Sequence, residues 1–244
     1  MEHRGTASPE EVARFTAMAE AWWDPHGKFK PLHKFNPIRL AFMRRHLAHL
    51  FDRDESLVRP FEGLTLLDVG SGGGLLSEPL AHMGFAVTGI DAGDKNVAMA
   101  RLHAEQSGVA IDYRATTPEQ LDPAQPFDVV LSMEVIEHVP DAAIFLGHVG
   151  RLLRPGGAFV GATLNRTLKA YALAVVGAEY VLGWLPKGTH DWHKFVRPSE
   201  FAAWLRISGI EVHHMAGMAY SPLSDEWSET PNLDVNYMLF GVKT

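Results

Sequence analysis

No cysteine occurs in the 244 residues of the chain. Disulfides, cysteine-ligated zinc and iron–sulfur clusters are thereby excluded, and the absence fits a cytoplasmic location. Positive charge is also scarce: 22 Lys and Arg against 29 Asp and Glu leave a formal net charge of -7. That balance disfavours a nucleic-acid partner, because such binding is driven by cations neutralising phosphates. The first residues, MEHRGTASPEE, lack an apolar core, so no cleaved signal peptide is expected. One apolar stretch, AYALAVVGAEYVLGWLP (Ala170 to Pro186), runs for about seventeen residues with Glu179 inside it. It falls short of a comfortable transmembrane span, and with Lys169 and Lys187 at its flanks it reads as an interfacial helix or hairpin, with a lid or a dimer contact as the competing reading.

What is present describes an ordinary globular chain, 46% hydrophobic and 21% charged, long enough for one α/β domain with embellishments. From Leu64 onward short apolar runs alternate with helical patterns, the signature of a parallel sheet covered on both sides. Strands are expected at Thr65 to Gly70, Ala86 to Asp91, Ile111 to Arg114, Phe127 to Met133 and Ala158 to Leu164. Helices are expected over Leu75 to Met83, Lys95 to Ser107 and, capped by Asp141, as far as Leu153, before an RPGG turn at Arg154 to Gly157. A helix over Pro198 to Ser208 and strands at Ile210 to Met218 and Val235 to Val242 close the chain. Two parts fall outside the alternation: an N-terminal helical cap over 1–60, with WWDPHGKFKPLHKFNPIRL (Trp22 to Leu40) as a connector, and an insert at about 165–195 within a domain of 61–244.

LDVGSGGG follows a strand and opens a helix, so Gly70, Gly72, Gly73 and Gly74 permit a tight turn and close backbone approach to a ligand. Asp91 ends the second strand about twenty residues later, where a carboxylate accepts hydrogen bonds from ribose hydroxyls. Leu75 and Ser77 stand where a dinucleotide fingerprint needs a small residue, which makes NAD the weaker ligand. MEVIEHV (Met133 to Val139) holds two carboxylates and an imidazole. On a helical turn Glu134, Glu137 and His138 would share one face and could converge on an ion; in a strand they would not. Pro25 to Phe51 carries Lys28, Lys30, Lys34, Arg39, Arg44 and Arg45 without one acid. This is either a solvated helix face or an attractor for anionic lipid or a ligand carboxylate.

The acid ending strand one (Asp68), the glycine loop, Asp91, the apolar fourth strand and the PGG turn together resemble the class I S-adenosylmethionine-dependent methyltransferases. That resemblance implies a Rossmann-like α/β fold, a seven-stranded sheet with helices on both faces and an antiparallel C-terminal hairpin. The segments WWDPHGKFKPLHKFNPIRL, DVGSGGG, MEVIEHV, LNRT, VVGAEY, PKGTHDWHKF and DVNYM, spread from about Ala19 to the C-terminus, closely resemble the ubiquinone-biosynthesis O-methyltransferases. One departure is Ser71, where members of the family carry cysteine.

The resemblance implies S-adenosylmethionine as co-substrate, bound through Arg39, Asp68, Gly70, Gly72, Asp91 and Met133, and a polyprenylated phenol or quinol as acceptor. It also implies magnesium held by Glu134, Glu137 and His138. Against this stands a metal-free reading with His138 as general base, Glu134 beside it, and His190 or His193 of THDWHKF as alternative bases. Peripheral attachment to an anionic inner-membrane surface and contact with other enzymes of the ubiquinone pathway are further expectations. An O-methyltransferase for another small phenol and a non-catalytic S-adenosylmethionine-binding module are the competing functions.

Overall fold

The computed structural model describes residues 5–27, 29–173, 191–221 and 224–244. Among them, eight strands form one sheet: β1 (Thr65–Val69), β2 (Ala86–Asp91), β3 (Asp112–Ala115), β4 (Phe127–Met133), β5 (Leu153–Leu164), β6 (Ile210–Ser221), β7 (Glu226–Thr230) and β8 (Asn236–Lys243). Their order is β3-β2-β1-β4-β5-β8-β6-β7. The first five run parallel, β8 is antiparallel to both β5 and β6, and β7 folds back on β6. The expected seven strands are thus corrected to eight. The addition, EWSET, is a five-residue edge strand held by pairing to β6, and so short and polar a run carries no period-2 apolar signal.

Seven helices flank the sheet among the described residues: α1 (Pro9–Thr16), α2 (Lys30–Leu50), α3 (Ser77–His82), α4 (Asp94–Ser107), α5 (Ala142–Leu152), the one-turn α6 (Leu168–Ala170) and α7 (Pro198–Ile207). Strand β4 shows why two layers form. Val129, Leu131 and Met133 face a core shared with Phe42, Met43 and Leu47 of α2 and Leu80 of α3. Val130 between them faces Phe145 and Val149 of α5 and Phe201 and Leu205 of α7. A central parallel strand buries both faces because successive side chains alternate.

Two boundaries move. Helix α2 starts at Lys30, inside the expected connector, with Pro31 in its first turn and Pro37 within it. Proline is tolerated in a first turn, where the N–H has no helical partner anyway. Pro37 removes one helical bond, an expense on the order of 3 kcal/mol, offset by burial of Phe35, Phe42, Met43 and Leu47, each worth roughly 1.5–3 kcal/mol. Strand β5 begins at Leu153 rather than after the PGG turn, with its register to β4 shifted across the RPGG stretch. Asp141 caps α5 as expected, its Oδ1 accepting from Ile144 N at 3.0 Å. No helix among the described residues is long and apolar enough to cross a membrane.

The strand order reverses between β1 and β4. The glycine loop leaves the carboxyl end of one and MEVIEHV the carboxyl end of the other, so both border the crevice where open α/β sheets bind ligands.

Candidate active site

Three glycines of the loop adopt left-handed backbone, Gly70 at φ 77, Gly72 at φ 53 and Gly74 at φ 88, a region costly to any residue with a Cβ. The loop is fastened to β2: Gly70 N and Ser71 N both donate to Ile90 O at 2.8 and 2.9 Å. A side chain on Gly73 would also strike Trp22, whose ring atoms lie 2.3 Å from the position of its Cβ. The indole stacks on Phe29 at 3.9 Å and donates to Asn96 Oδ1 at 3.1 Å. Trp23 donates to Gly73 O at 2.8 Å. The tryptophan pair of the N-terminal segment therefore covers the loop.

Asn96 in turn donates to Asp91 Oδ1, which also accepts from Gly93 N, while Asp91 Oδ2 accepts from Gly72 N at 3.0 Å. Burial pushes the Asp91 carboxyl above its ordinary range against these three bonds. Asp68 is buried at the end of β1 and accepts from Ser77 Oγ at 2.6 Å. Burial raises its carboxyl to about 6.

Arg39 reaches the same crevice from α2. It is 4% exposed, donates to Glu134 Oε1 at 3.1 Å and lies over the Phe35 ring at 4.1 Å. Its Nε is buried with no partner. Glu134 has φ 57, left-handed backbone that a glutamate takes up at a cost. Its N–H donates to Ala162 O at 2.9 Å. Glu137 is 3% exposed and accepts from Thr163 Oγ1 at 2.9 Å. Burial, and then the neighbouring Glu134 carboxylate, push its carboxyl well above the usual range. His138 turns elsewhere: its Nδ1 lies 3.3 Å from Glu11 Oε2 of α1, and Phe15 of the same helix meets the imidazole edge-on at 5.1 Å.

One cavity of about 1040 Å³ joins these elements. Arg39, Asp68, Gly70, Gly72, Asp91 and Met133, the six residues expected to hold the co-substrate, all line it, as do Glu134, Glu137 and His138. The last three do not converge as an ion site. Glu134 and Glu137 hydrogen-bond to Arg39 and Thr163 and His138 pairs with Glu11, and among the described residues no group of three His, Asp or Glu could hold a metal. The magnesium ligand set implied by resemblance does not fit this arrangement. His193 is exposed in a short turn beside Trp192, and His190 lies outside the described residues.

The basic stretch of α2 resolves by position. Arg39 is the buried member, whereas Lys34 pairs with Asp225, Arg45 with Glu229 at 2.6 Å, and Arg44 donates to the carbonyl oxygens of Glu55 and Leu57. Trp22, Asn96 and Glu11 were not anticipated as site residues. The doublet in WWDPHG was a usable signal for the first; nothing local marks the other two.

Comparison with known proteins supplies the remaining findings. Residues 37–215 match a methyltransferase domain family. A ubiquinone biosynthesis O-methyltransferase of Paramagnetospirillum magneticum is 81% identical over 243 residues, covering 100% of this chain and 98% of that one. Its counterpart in Caulobacter vibrioides is 57% identical over 95% of this chain and 92% of its own. Among solved structures, magnesium protoporphyrin IX methyltransferase from Synechocystis with bound SAH superposes with a TM-score of 0.64 at 18% identity. It covers 95% of this chain and 94% of that one, a likeness that concerns the fold alone. The same protein with bound SAM gives a TM-score of 0.62 over 99% of this chain and 100% of that one.

Proposed function

The chain belongs to the ubiquinone biosynthesis O-methyltransferases, and from that premise we propose how its residues divide the reaction. It is an S-adenosylmethionine-dependent O-methyltransferase of ubiquinone biosynthesis. The observation that carries the assignment of residues is the convergence of Arg39, Asp68, Gly70, Gly72, Asp91 and Met133 on a cavity that His138 also lines.

Each polar group has capacity to spare for the co-substrate. Asp91 Oδ1 already accepts two bonds but Oδ2 only one, which leaves Oδ2 a lone pair for a ribose hydroxyl. Arg39 offers the methionyl carboxylate its unpartnered Nε, a charge-assisted donor. Glycine-loop backbone and the Met133 side chain line the space between. S-adenosylmethionine supplies a methyl group activated on a sulfonium.

The acceptor is a hydroxyl on a polyprenylated ring. A phenol with a pKa near 10 is ionised to about one part in a thousand at pH 7, a deficit of roughly 4 kcal/mol if phenolate is the nucleophile. His138 meets it by taking the hydroxyl proton as the oxygen attacks the methyl carbon and the C–S electron pair returns to sulfur. General-base assistance of this kind contributes about 10²–10⁴ in rate. Glu134 and Glu137 support the site rather than ligate an ion: the first is ion-paired to Arg39, and the second is buried, accepts from Thr163 and has its carboxyl pushed upward by burial and by Glu134.

Methyl transfer to a short-chain prenyl catechol, with and without chelator, tests the assignment. Turnover that survives chelation and is lost in His138→Gln supports it. Loss on chelation with recovery on adding magnesium would instead restore the ion-site reading.

The prenylated acceptor is a bilayer lipid, so the enzyme works at a membrane surface. Leu168, Tyr171 and Leu173, 79%, 45% and 54% exposed, lead apolar side chains into the insert, most of which lies outside the described residues. A cytoplasmic enzyme held peripherally on anionic lipid, within reach of other enzymes of its pathway, is the arrangement we propose. Liposome co-sedimentation of wild type and an insert deletion tests it, and equal binding of the two would refute it.

A further inference from the structure

We infer that Glu11 of α1 is a positioning residue for catalysis: its carboxylate, paired with His138 Nδ1, favours the Nδ1–H tautomer and so presents the unprotonated Nε2 to the acceptor hydroxyl. The inference rests on the reading of His138 as the base.

Glu11 Oε2 lies 3.3 Å from His138 Nδ1, and its Oε1 lies 3.1 Å from Lys194 Nζ. Arg14 of the same helix pairs with the same carboxylate. The carboxylate is therefore held from two sides by cations while it faces the imidazole. Its side chain is 14% exposed and that of His138 16%, so water competes little for the contact. Phe15, four residues along α1, packs its ring edge-on to the imidazole and restricts ring rotation. The carboxyl is held down to about 2, chiefly by its bond to His138, and is anionic throughout the working pH range.

An imidazole that donates Nδ1–H to a carboxylate has its lone pair on Nε2, and the carboxylate stabilises the imidazolium formed once the proton is taken. The proton travels from the acceptor hydroxyl to Nε2. The ring then carries the positive charge that the sulfonium loses as its C–S bond breaks, and it releases the proton to solvent after product leaves. Three segments distant in sequence build this device: α1, the turn after β4, and the WHK turn that follows the insert.

A salt bridge that merely docks α1 is the alternative, and the experiment separates the two. Glu11→Ala, Glu11→Gln, Glu11→Asp and His138→Gln are compared for kcat and KM with a short-chain prenyl catechol. S-adenosylmethionine affinity is measured by calorimetry and the His138 ring by ¹⁵N NMR. Expected is a fall in kcat of about tenfold or more in the alanine and glutamine variants, with KM and co-substrate affinity unchanged. The NMR signature of a protonated Nδ1 should be lost in Glu11→Ala, and Glu11→Asp should recover part of the rate. Unchanged kcat in Glu11→Ala together with an inactive His138→Gln would overturn the inference while leaving the base in place. A rise in KM at constant kcat would overturn it in favour of docking. An active His138→Gln would remove the base reading itself, and the inference with it.

Discussion

Replacing Gly73 by alanine should weaken S-adenosylmethionine binding through Trp22, whose side chain packs directly on Gly73. Gly73 has no left-handed backbone, so alanine brings no conformational penalty there and the effect is purely steric. The new Cβ would sit 2.3 Å from Trp22 Cγ, whereas carbon atoms rest at about 3.5–4.0 Å. The indole must therefore retreat by more than an ångström. Its bond to Asn96, 3.1 Å long, does not survive that movement, and neither does the stack on Phe29 at 3.9 Å. The hydrogen bond is worth about 0.5–1.5 kcal/mol and the stack a further 0.5–1.5 kcal/mol or so. Together they predict affinity weakened by about 1–3 kcal/mol, roughly five- to 150-fold. Calorimetric titration of Gly73→Ala, Trp22→Ala and the double variant measures it. Trp22→Ala removes the ring but keeps a Cβ 2.4 Å from the new methyl, so part of the clash remains: the double variant should bind somewhat more weakly than Trp22→Ala alone, but by less than the sum of the two single losses. Strictly additive losses would refute the account, as would a Gly73→Ala protein that binds like wild type.

Other substitutions probe the neighbouring groups. Asp68 has a folded-state pKa of about 6 against an ordinary 3.8, so the native state holds its proton more tightly than the unfolded chain. Stability from this group is full below about pH 4 and lost as pH rises through about 6, a change on the order of 3 kcal/mol. Asp68→Asn should flatten that limb of a urea-midpoint profile while weakening co-substrate binding; a profile identical to wild type would contradict it. Thr163→Val deprives the buried Glu137 carboxyl of its donor and should lower unfolding free energy by about 1–3 kcal/mol, measured by denaturant titration. Phe42→Ala empties a fully buried position between α2 and the sheet. It should cost about 3–5 kcal/mol in the same assay without altering the pH dependence of turnover.

What could be read from the sequence was what depends on near neighbours. The range Ala86 to Asp91 for β2 and Phe127 to Met133 for β4 agree with the structure residue for residue, because a buried parallel strand is a short apolar run bounded by turn residues. Gly108 stops α4 in left-handed backbone, where the helix was expected to end at Ser107. The misses share a cause in long-range contact. Strand β7 exists by its pairing to β6 and by Trp227, whose ring lies 4.4 Å from Phe35 of α2, nearly two hundred positions earlier in the chain. Helix α2 runs through Pro37 because the sheet it covers repays the lost bond, and no local propensity reports that sheet. Glu11 lies far from His138 in the chain, and only the folded arrangement brings α1 over the crevice and the two side chains together.

MEVIEHV shows the same limit within seven residues. As an uninterrupted helical turn it would gather Glu134, Glu137 and His138 on one face. The chain instead leaves β4 at Met133, takes a left-handed step at Glu134 and enters a short 3-10 turn over Ile136–His138. The step is an unfavourable choice for glutamate, at roughly 1–2 kcal/mol, and it persists because both ends of the residue are anchored: the N–H on Ala162 O, the carboxylate on Arg39. It leaves Glu137 buried beside Glu134, where burial and the neighbouring carboxylate both push the Glu137 carboxyl upward while Thr163 Oγ1 donates to it. His138, one residue further on, is turned toward α1. One turn thus ties three different elements, α2, β5 and α1, to the end of the central strand, and what each side chain does is decided by the element it meets rather than by its spacing from the others.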